Sequence, residues 1–296
     1  MQVFHGLEEL SEFGKSFGLA LGVFDGVHIG HQAVIDAARG AEALGVLTFD
    51  PHPVQVLAPG RAPRRILANL DHKGRILSKL GVDFMVVIQF SSEFAAREAR
   101  EFANELFATG VRKLSAGDDW SFGRAREGNM SRLREWGRES GVEVHEVTAV
   151  MRDGIRISST RIRKGLQEED LDSVAAMLGR HYSVFGEVVS GRQLGRTIGF
   201  PTANVAVSDE VLPPNGVYVV KGNDIPGVAN IGTRPTLDDH LGRSLEVHLF
   251  SDDLPMEYGW ELEVGFLRKI RDEKKFGSLE GLRKQINRDV KAAKSG

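Results

Sequence analysis

The 296-residue sequence contains no cysteine. That absence excludes disulfides, thiolate metal sites and cysteine nucleophiles, and it fits a reducing, cytoplasmic setting. No apolar run approaches the ~20 residues of a membrane-spanning helix. The start, Met1-Gln2-Val3-Phe4-His5-Gly6-Leu7-Glu8-Glu9, has early acids and no apolar signal segment. A soluble protein with no membrane partner is expected. Aromatic residues make up only 7% of the chain and form no basic aromatic platform, which argues against a single-strand nucleic-acid binder. The net charge of −3 gives no general pull toward nucleic acid or anionic lipid. Ten Lys or Arg against four Asp or Glu between Arg268 and Gly296 read as a solvated helix face. There is no Gly-x-x-x-x-Gly-Lys-Ser/Thr string, so a P-loop kinase is unsupported.

What is present is an ordinary globular balance, 41% apolar and 27% charged, over a length that suits two domains. In the first half, strand-like runs (19–24, 46–49, 84–88, 142–147) alternate with helical spacing (32–44, 93–107). This order predicts an α/β, Rossmann-like domain with a parallel sheet, its ligand lying at the carboxyl ends of the strands. A last helix over 170–178 puts the boundary near 180. Past it, short strand-like runs (184–189, 216–220, 228–231, 245–250, 262–266) follow one another with Gly and Pro between them. They predict a small antiparallel β-barrel. A C-terminal helix follows, with Leu279, Leu282, Ile286 and Val290 on one side and Ser278 as N-cap. The domains expected are 1–180 and 181–296.

The first run leads into Asp25-Gly26-Val27-His28-Ile29-Gly30-His31 and then a helix. Free N–H groups and the positive dipole end at such a turn suit an anion. Two imidazoles spaced His-x-x-His there can donate to phosphate oxygens and share developing charge. The alternative is a tight turn with two partly exposed histidines. A zinc site would need more ligands than His28 and His31, with His52 the available third. Much later stands Ile157-Ser158-Ser159-Thr160-Arg161-Ile162-Arg163, whose hydroxyls and guanidiniums can hold a triphosphate. Its bland alternative is a helix N-cap with a basic first turn.

In the second half, glycines at 191, 195 and 199 within Gly191-Arg192-Gln193-Leu194-Gly195-Arg196-Thr197-Ile198-Gly199-Phe200-Pro201-Thr202-Ala203-Asn204 let backbone approach a ligand. Thr202 and Asn204, two apart, offer oxygen ligands suited to Mg²⁺. A glycine-rich barrel loop ending in a strand is the competing explanation. In Ser244-Leu245-Glu246-Val247-His248-Leu249, alternation puts Glu246 with Ser244 and His248 on one face. There it is either a general base or part of a polar barrel edge.

Taken together, Gly22-x-Phe24-Asp25-Gly26-Val27-His28-x-Gly30-His31, Phe49-Asp50-Pro51-His52-Pro53, Gly117-Asp118-Asp119-Trp120-Ser121-Phe122-Gly123 and Ser158-Ser159-Thr160-x-x-Arg163 resemble the FMN adenylyltransferase module of prokaryotic bifunctional riboflavin kinase/FAD synthetases. Pro201-Thr202-Ala203-Asn204, Gly216-Val217-Tyr218, Gly227 to Thr236, Leu245 to Phe250 and Phe266-Leu267-Arg268 resemble that family's riboflavin kinase module. The resemblance implies ATP-dependent phosphorylation of riboflavin to FMN, then adenylyl transfer to FMN giving FAD and pyrophosphate, with Mg²⁺ bridging phosphates. It implies that Gly22, Phe24, Asp25, Gly26, His28, Gly30, His31, Ser159, Thr160 and Arg163 bind ATP in the first module. His52, Asp119, Trp120 and Phe122 would lie at the flavin and adenylyl-transfer site. Gly195, Arg196, Gly199, Pro201, Thr202, Asn204, Asn230 and Arg268 would hold the kinase substrates, with Glu246 its base. Partners are then riboflavin, FMN and ATP, with room left for weak self-association. Rival readings are a nucleotidylyltransferase for another phosphorylated substrate, and a barrel that grips RNA or stores flavin without turnover.

Overall fold

The computed structural model describes residues 1–190, 199–233, 242–251 and 257–295. The chain divides into two compact units, one of residues 1–64 with 70–159, the other of 65–69 with 160–296.

The first unit opens with Gln2–Phe4 (β1), Phe17–Leu21 (β2), Ile29–Ala37 (α1), Ala43–Asp50 (β3) and Pro53–Leu57 (α2). Then come Leu70–Lys79 (α3), Phe84–Gln89 (β4), Ser92–Ala95 (α4), Ala99–Ala108 (α5) and Val111–Gly117 (β5). A short pair, Ser121–Phe122 (β6) with Gly128–Asn129 (β7), precedes Met130–Ser140 (α6) and Glu143–Val147 (β8). A second pair, Met151–Arg152 (β9) and Ile155–Arg156 (β10), closes the unit. Six strands form one sheet in the order β1-β4-β3-β2-β5-β8, parallel throughout. All five residues of β2 are buried, as expected of a parallel strand covered on both faces. From β2 the chain adds β3 and β4 on one flank, then returns to place β5 on the other. The direction of winding therefore reverses at β2, and a ligand belongs at its carboxyl end.

The second unit includes Ser159–Gln167 (α7), from Thr160 onward, and Leu171–Leu178 (α8). Its strands Tyr182–Val189 (β11), Ala203–Ala206 (β12), Gly216–Gly222 (β13), Ile225–Thr233 (β14), Arg243–Leu249 (β15) and Glu261–Arg271 (β16) close a barrel. The ring order is β11-β12-β15-β14-β13-β16, with every pairing antiparallel. Leu279–Lys294 (α9) follows, capped by Ser278, which accepts from the Gly281 N–H. Arg271 of β16 grips Asp289 of α9 through Nε and Nη2, at 3.1 and 2.7 Å, and Asp289 is only 4% exposed. Residues 65–69 join this unit although they stand far upstream in the chain. The buried carboxylate of Glu210 accepts from the N–H of Asn69 (2.7 Å) and of Phe185 (2.8 Å). Arg65 Nη1 donates to the Ser208 carbonyl at 2.7 Å.

The fold class matches expectation, and several element bounds are corrected. The expected strand 19–24 is found at Phe17–Leu21, and the loop after it turns into the left-handed region at Phe24, φ 52°. The helical spacing over 32–44 holds only to Ala37; the chain then turns, with Gly40 at φ 118°, and Ala43 already belongs to β3. The stretch 93–107 is two helices, each started afresh, the first capped by Ser91. β1 carried no sequence signal of its own beyond three residues.

Candidate active sites

The loop after β2 is shaped by three positive φ angles, at Phe24 (52°), Gly26 (80°) and Val27 (43°). It delivers the chain to His28, the N-cap of α1, whose Nδ1 accepts from the His31 N–H at 3.2 Å. The two imidazoles stack, with centroids 3.6 Å apart and planes 11° from parallel, and the Phe24 ring lies 5.3 Å from that of His31. A Cβ on Gly30 would come within 3.1 Å of the His28 ring, so glycine lets the ring fold over the helix start. Asp25 and His28 are buried, at 3% and 7% exposure. A helix N-terminus, a pair of stacked imidazoles and a turned backbone stand together at the winding reversal, an arrangement that can receive an anion.

A member of the late string reaches this loop: Ser159 Oγ donates to the Asp25 carbonyl at 2.9 Å. Thr160 and Arg163 lie in the second unit, where Arg163 Nε donates to the Arg65 carbonyl at 3.1 Å. His52 caps α2, its Nδ1 accepting from the Val54 N–H at 3.2 Å, after a cis Asp50–Pro51 bond. Trp120 and Phe122 stack at 4.6 Å, and Asp119 pairs with Arg156 at 2.8 Å on the surface. Among the described residues no group of three or more His, Asp or Glu could hold a metal, so the three histidines form no zinc-type cluster.

One residue that sequence reading passed over is Lys73. It lies on α3, buried, with Nζ donating to the Val23 carbonyl (2.9 Å) and to Thr48 Oγ1 (3.0 Å). Burial pulls its ammonium down to about 8, against the opposing pull of Asp25 and Asp50. The available signal was its spacing three and four residues before Ile76 and Leu77, on the inward face of α3.

In the barrel, β15 has β12 on one side and β14 on the other. Glu246 stands directly opposite Asn204 of β12 and opposite Asn230 of β14. Directly opposed residues share a face, and Leu245, Val247 and Leu249 fill the interior. Asn204, Glu246 and Asn230 are thus one row of oxygen-bearing side chains on the outer face. Thr202 precedes β12, tied down nearby: Nδ1 of His248 donates to the Pro201 carbonyl at 2.8 Å, and Phe200 meets the His248 ring edge-on at 5.4 Å. Arg268 is not in the row. It lies on β16, opposite β15 in the ring, and its Nη2 donates to the Ala292 carbonyl of α9 at 2.6 Å. Gly195 and Arg196 lie outside the described residues, while Gly199 turns at φ 86°. Hard neutral and anionic oxygens of this kind fit Mg²⁺, which takes few ligands from protein.

Comparison with known proteins matches residues 11–161 to the FAD synthetase family and residues 178–296 to the riboflavin kinase family. The chain is 39% identical to the bifunctional riboflavin kinase/FMN adenylyltransferase of Escherichia coli K12, over 99% of this chain and 97% of that protein. It is equally similar to its counterpart in Haemophilus influenzae, over 100% and 99%. A solved structure titled macrolide-efflux protein, from Streptococcus pneumoniae, superposes with a TM-score of 0.79 at 30% identity, covering 95% of each chain.

Proposed function

The chain belongs to the bifunctional riboflavin kinase/FMN adenylyltransferase family, and on that premise we propose how its residues divide the two activities. The protein phosphorylates riboflavin to FMN with ATP, and it transfers the adenylyl group of a second ATP to FMN, giving FAD and pyrophosphate. That membership disfavours both a different phosphorylated substrate and a binder without turnover.

Residues 1–180 carry adenylyl transfer. An oxygen of the FMN phosphate attacks the α-phosphorus of ATP in line, and the bond to the β-phosphate breaks as pyrophosphate leaves. His28 and His31 hold the phosphates at the α1 N-terminus, with Gly22, Phe24, Asp25, Gly26 and Gly30 shaping the loop and Ser159, Thr160 and Arg163 serving the β and γ groups. His52, Asp119, Trp120 and Phe122 serve the flavin side. No covalent enzyme intermediate is required, because such chemistry is mostly positioning and charge stabilisation.

Residues 181–296 carry the kinase. Glu246 accepts the proton of the riboflavin 5′-hydroxyl as that oxygen attacks the γ-phosphorus, and ADP leaves. Asn204 and Thr202 would hold Mg²⁺, which would neutralise phosphate charge. Gly195, Arg196, Gly199, Pro201, Asn230 and Arg268 contact ATP or flavin. The observation carrying this assignment is the Asn204–Glu246–Asn230 row across three paired strands. The enzyme is read as cytoplasmic, with small-molecule partners only and weak self-association at most.

The test is one incubation with riboflavin, ATP and Mg²⁺, with flavins separated by chromatography. The parent should yield FMN and FAD. His28→Ala with His31→Ala should stop at FMN, and FAD formation at the parental rate by that variant would refute the phosphate-site assignment.

A further inference from the structure

Lys73 is 6% exposed, on a helix whose other buried face residues include Ile76 and Leu77. Burying an ammonium costs several kcal/mol, so a lysine kept where an apolar strut would fit calls for a role. Its contacts converge on one atom. Lys73 Nζ reaches the Val23 carbonyl at 2.9 Å, and Thr48 Oγ1 of β3 donates to the same carbonyl at 2.9 Å. Lys73 also donates to Thr48 Oγ1 at 3.0 Å, closing a triangle between α3, β3 and the loop. Asp25 and Asp50 supply the nearby negative charge.

The peptide joining Val23 to Phe24 is planar, so the Phe24 N–H points opposite to the Val23 carbonyl. With that carbonyl drawn toward Lys73 and Thr48, the N–H is turned away from both. Phe24 has φ 52°, a conformation that persists only when its surroundings impose it. We propose that Lys73 is a positioning residue for adenylyl transfer: by holding the Val23 carbonyl inward it fixes the path of the fully buried Phe24, and with it the turn that ends at His31. It also sets a positive charge beneath a loop that receives polyanions. The inference rests on the phosphate-site assignment above.

The experiment uses the full-length chain with Lys73→Met and, separately, Thr48→Val. Circular dichroism and the unfolding midpoint report that the chain is folded, and riboflavin phosphorylation in the same preparation is the internal activity control. For Lys73→Met, kcat for FMN adenylylation should fall on the order of tenfold to a hundredfold, the scale of a loop displaced by about 1 Å. KM for FMN should stay near parental. Thr48→Val, which keeps the charge and removes one corner of the triangle, should lower kcat in the same direction by less. A lysine acting only as a strut would shift the unfolding midpoint and leave kcat of the folded enzyme unchanged, which overturns the proposal. If Lys73→Met does not fold, Thr48→Val decides, and an unchanged kcat there refutes it. Should the His28/His31 double variant still make FAD, the phosphate-site assignment itself fails. Loss there with full activity in Lys73→Met rejects only the lysine.

Discussion

Gly18→Ala should disable FAD formation while sparing riboflavin phosphorylation. Gly18 lies in β2, and a Cβ built on it would sit 1.8 Å from the Ala38 carbonyl oxygen, which belongs to the backbone at the end of α1. A relaxed carbon–oxygen contact is about 3.3 Å, so strand and helix must separate by roughly 1.5 Å. Backbone cannot rotate out of the way as a flexible side chain would, and α1 is the element that holds His28 and His31. Misplacement of a reacting group by ~1 Å can cost about 10² in rate, and overpacking of this kind typically destabilises by about 1–3 kcal/mol. The assay follows both half-reactions of one preparation, with circular dichroism to verify that the variant is folded at the assay temperature. A loss of FAD synthesis on the order of 10² with kinase activity retained is expected. FAD synthesis within a few-fold of the parent, in a folded variant, would refute the claim that α1 placement limits the reaction.

Glu246→Gln keeps shape and hydrogen bonding but takes no proton, so it should lower riboflavin phosphorylation by about 10² to 10⁴ and leave FMN-to-FAD conversion near normal. If the kinase rate stays within a few-fold, Glu246 is not the base. EDTA should abolish both half-reactions and added Mg²⁺ restore them, while Thr202→Ala should weaken only the kinase; an EDTA-insensitive kinase contradicts the metal assignment. Lys73 gives a pH dependence of stability. Its folded value near 8 lies below the ordinary lysine value of 10.5, so the unfolded chain binds more protons between these limits and stability rises with pH across that window. The penalty is fully present below about pH 8 and fades toward 10.5, a total on the order of 3 kcal/mol. Urea titrations at neutral pH and near pH 10 should show Lys73→Met lacking that rise, and parallel curves for parent and variant would refute the linkage.

The fold was legible because its signals are local and repeated. Buried runs such as Phe17–Leu21 read as covered strands, and Leu245, Val247 and Leu249 alternate with polar neighbours as a barrel strand must. Helix ends were harder, because α1 stops at Ala37 and the chain turns through Gly40 into β3 inside a spacing that otherwise continued. The histidine turn stood out in the sequence, yet its stacking of His28 on His31 depends on the close approach that Gly30 permits. What could not be read were groups whose meaning lies in distant partners. Lys73 looks like any helical lysine until the Val23 carbonyl, fifty residues earlier, is beside it. Likewise, the opposition of Glu246 to Asn204 and Asn230 is set by register, which no stretch of one strand declares.

The discontinuous makeup of the second unit bears on how such a protein could be dissected. A kinase fragment beginning at residue 160 or later would lack residues 65–69, and with them the Asn69 N–H that one oxygen of the buried Glu210 carboxylate accepts. It would also lose the Arg65 guanidinium at the Ser208 carbonyl. Loss of a hydrogen bond to a buried carboxylate costs about 1–3 kcal/mol, a large share of the margin by which a small barrel is stable. No single cleavage of the polypeptide frees that unit whole. Fission of the gene into two separate enzymes would leave these contacts unmade, because the five-residue segment is encoded in the other half.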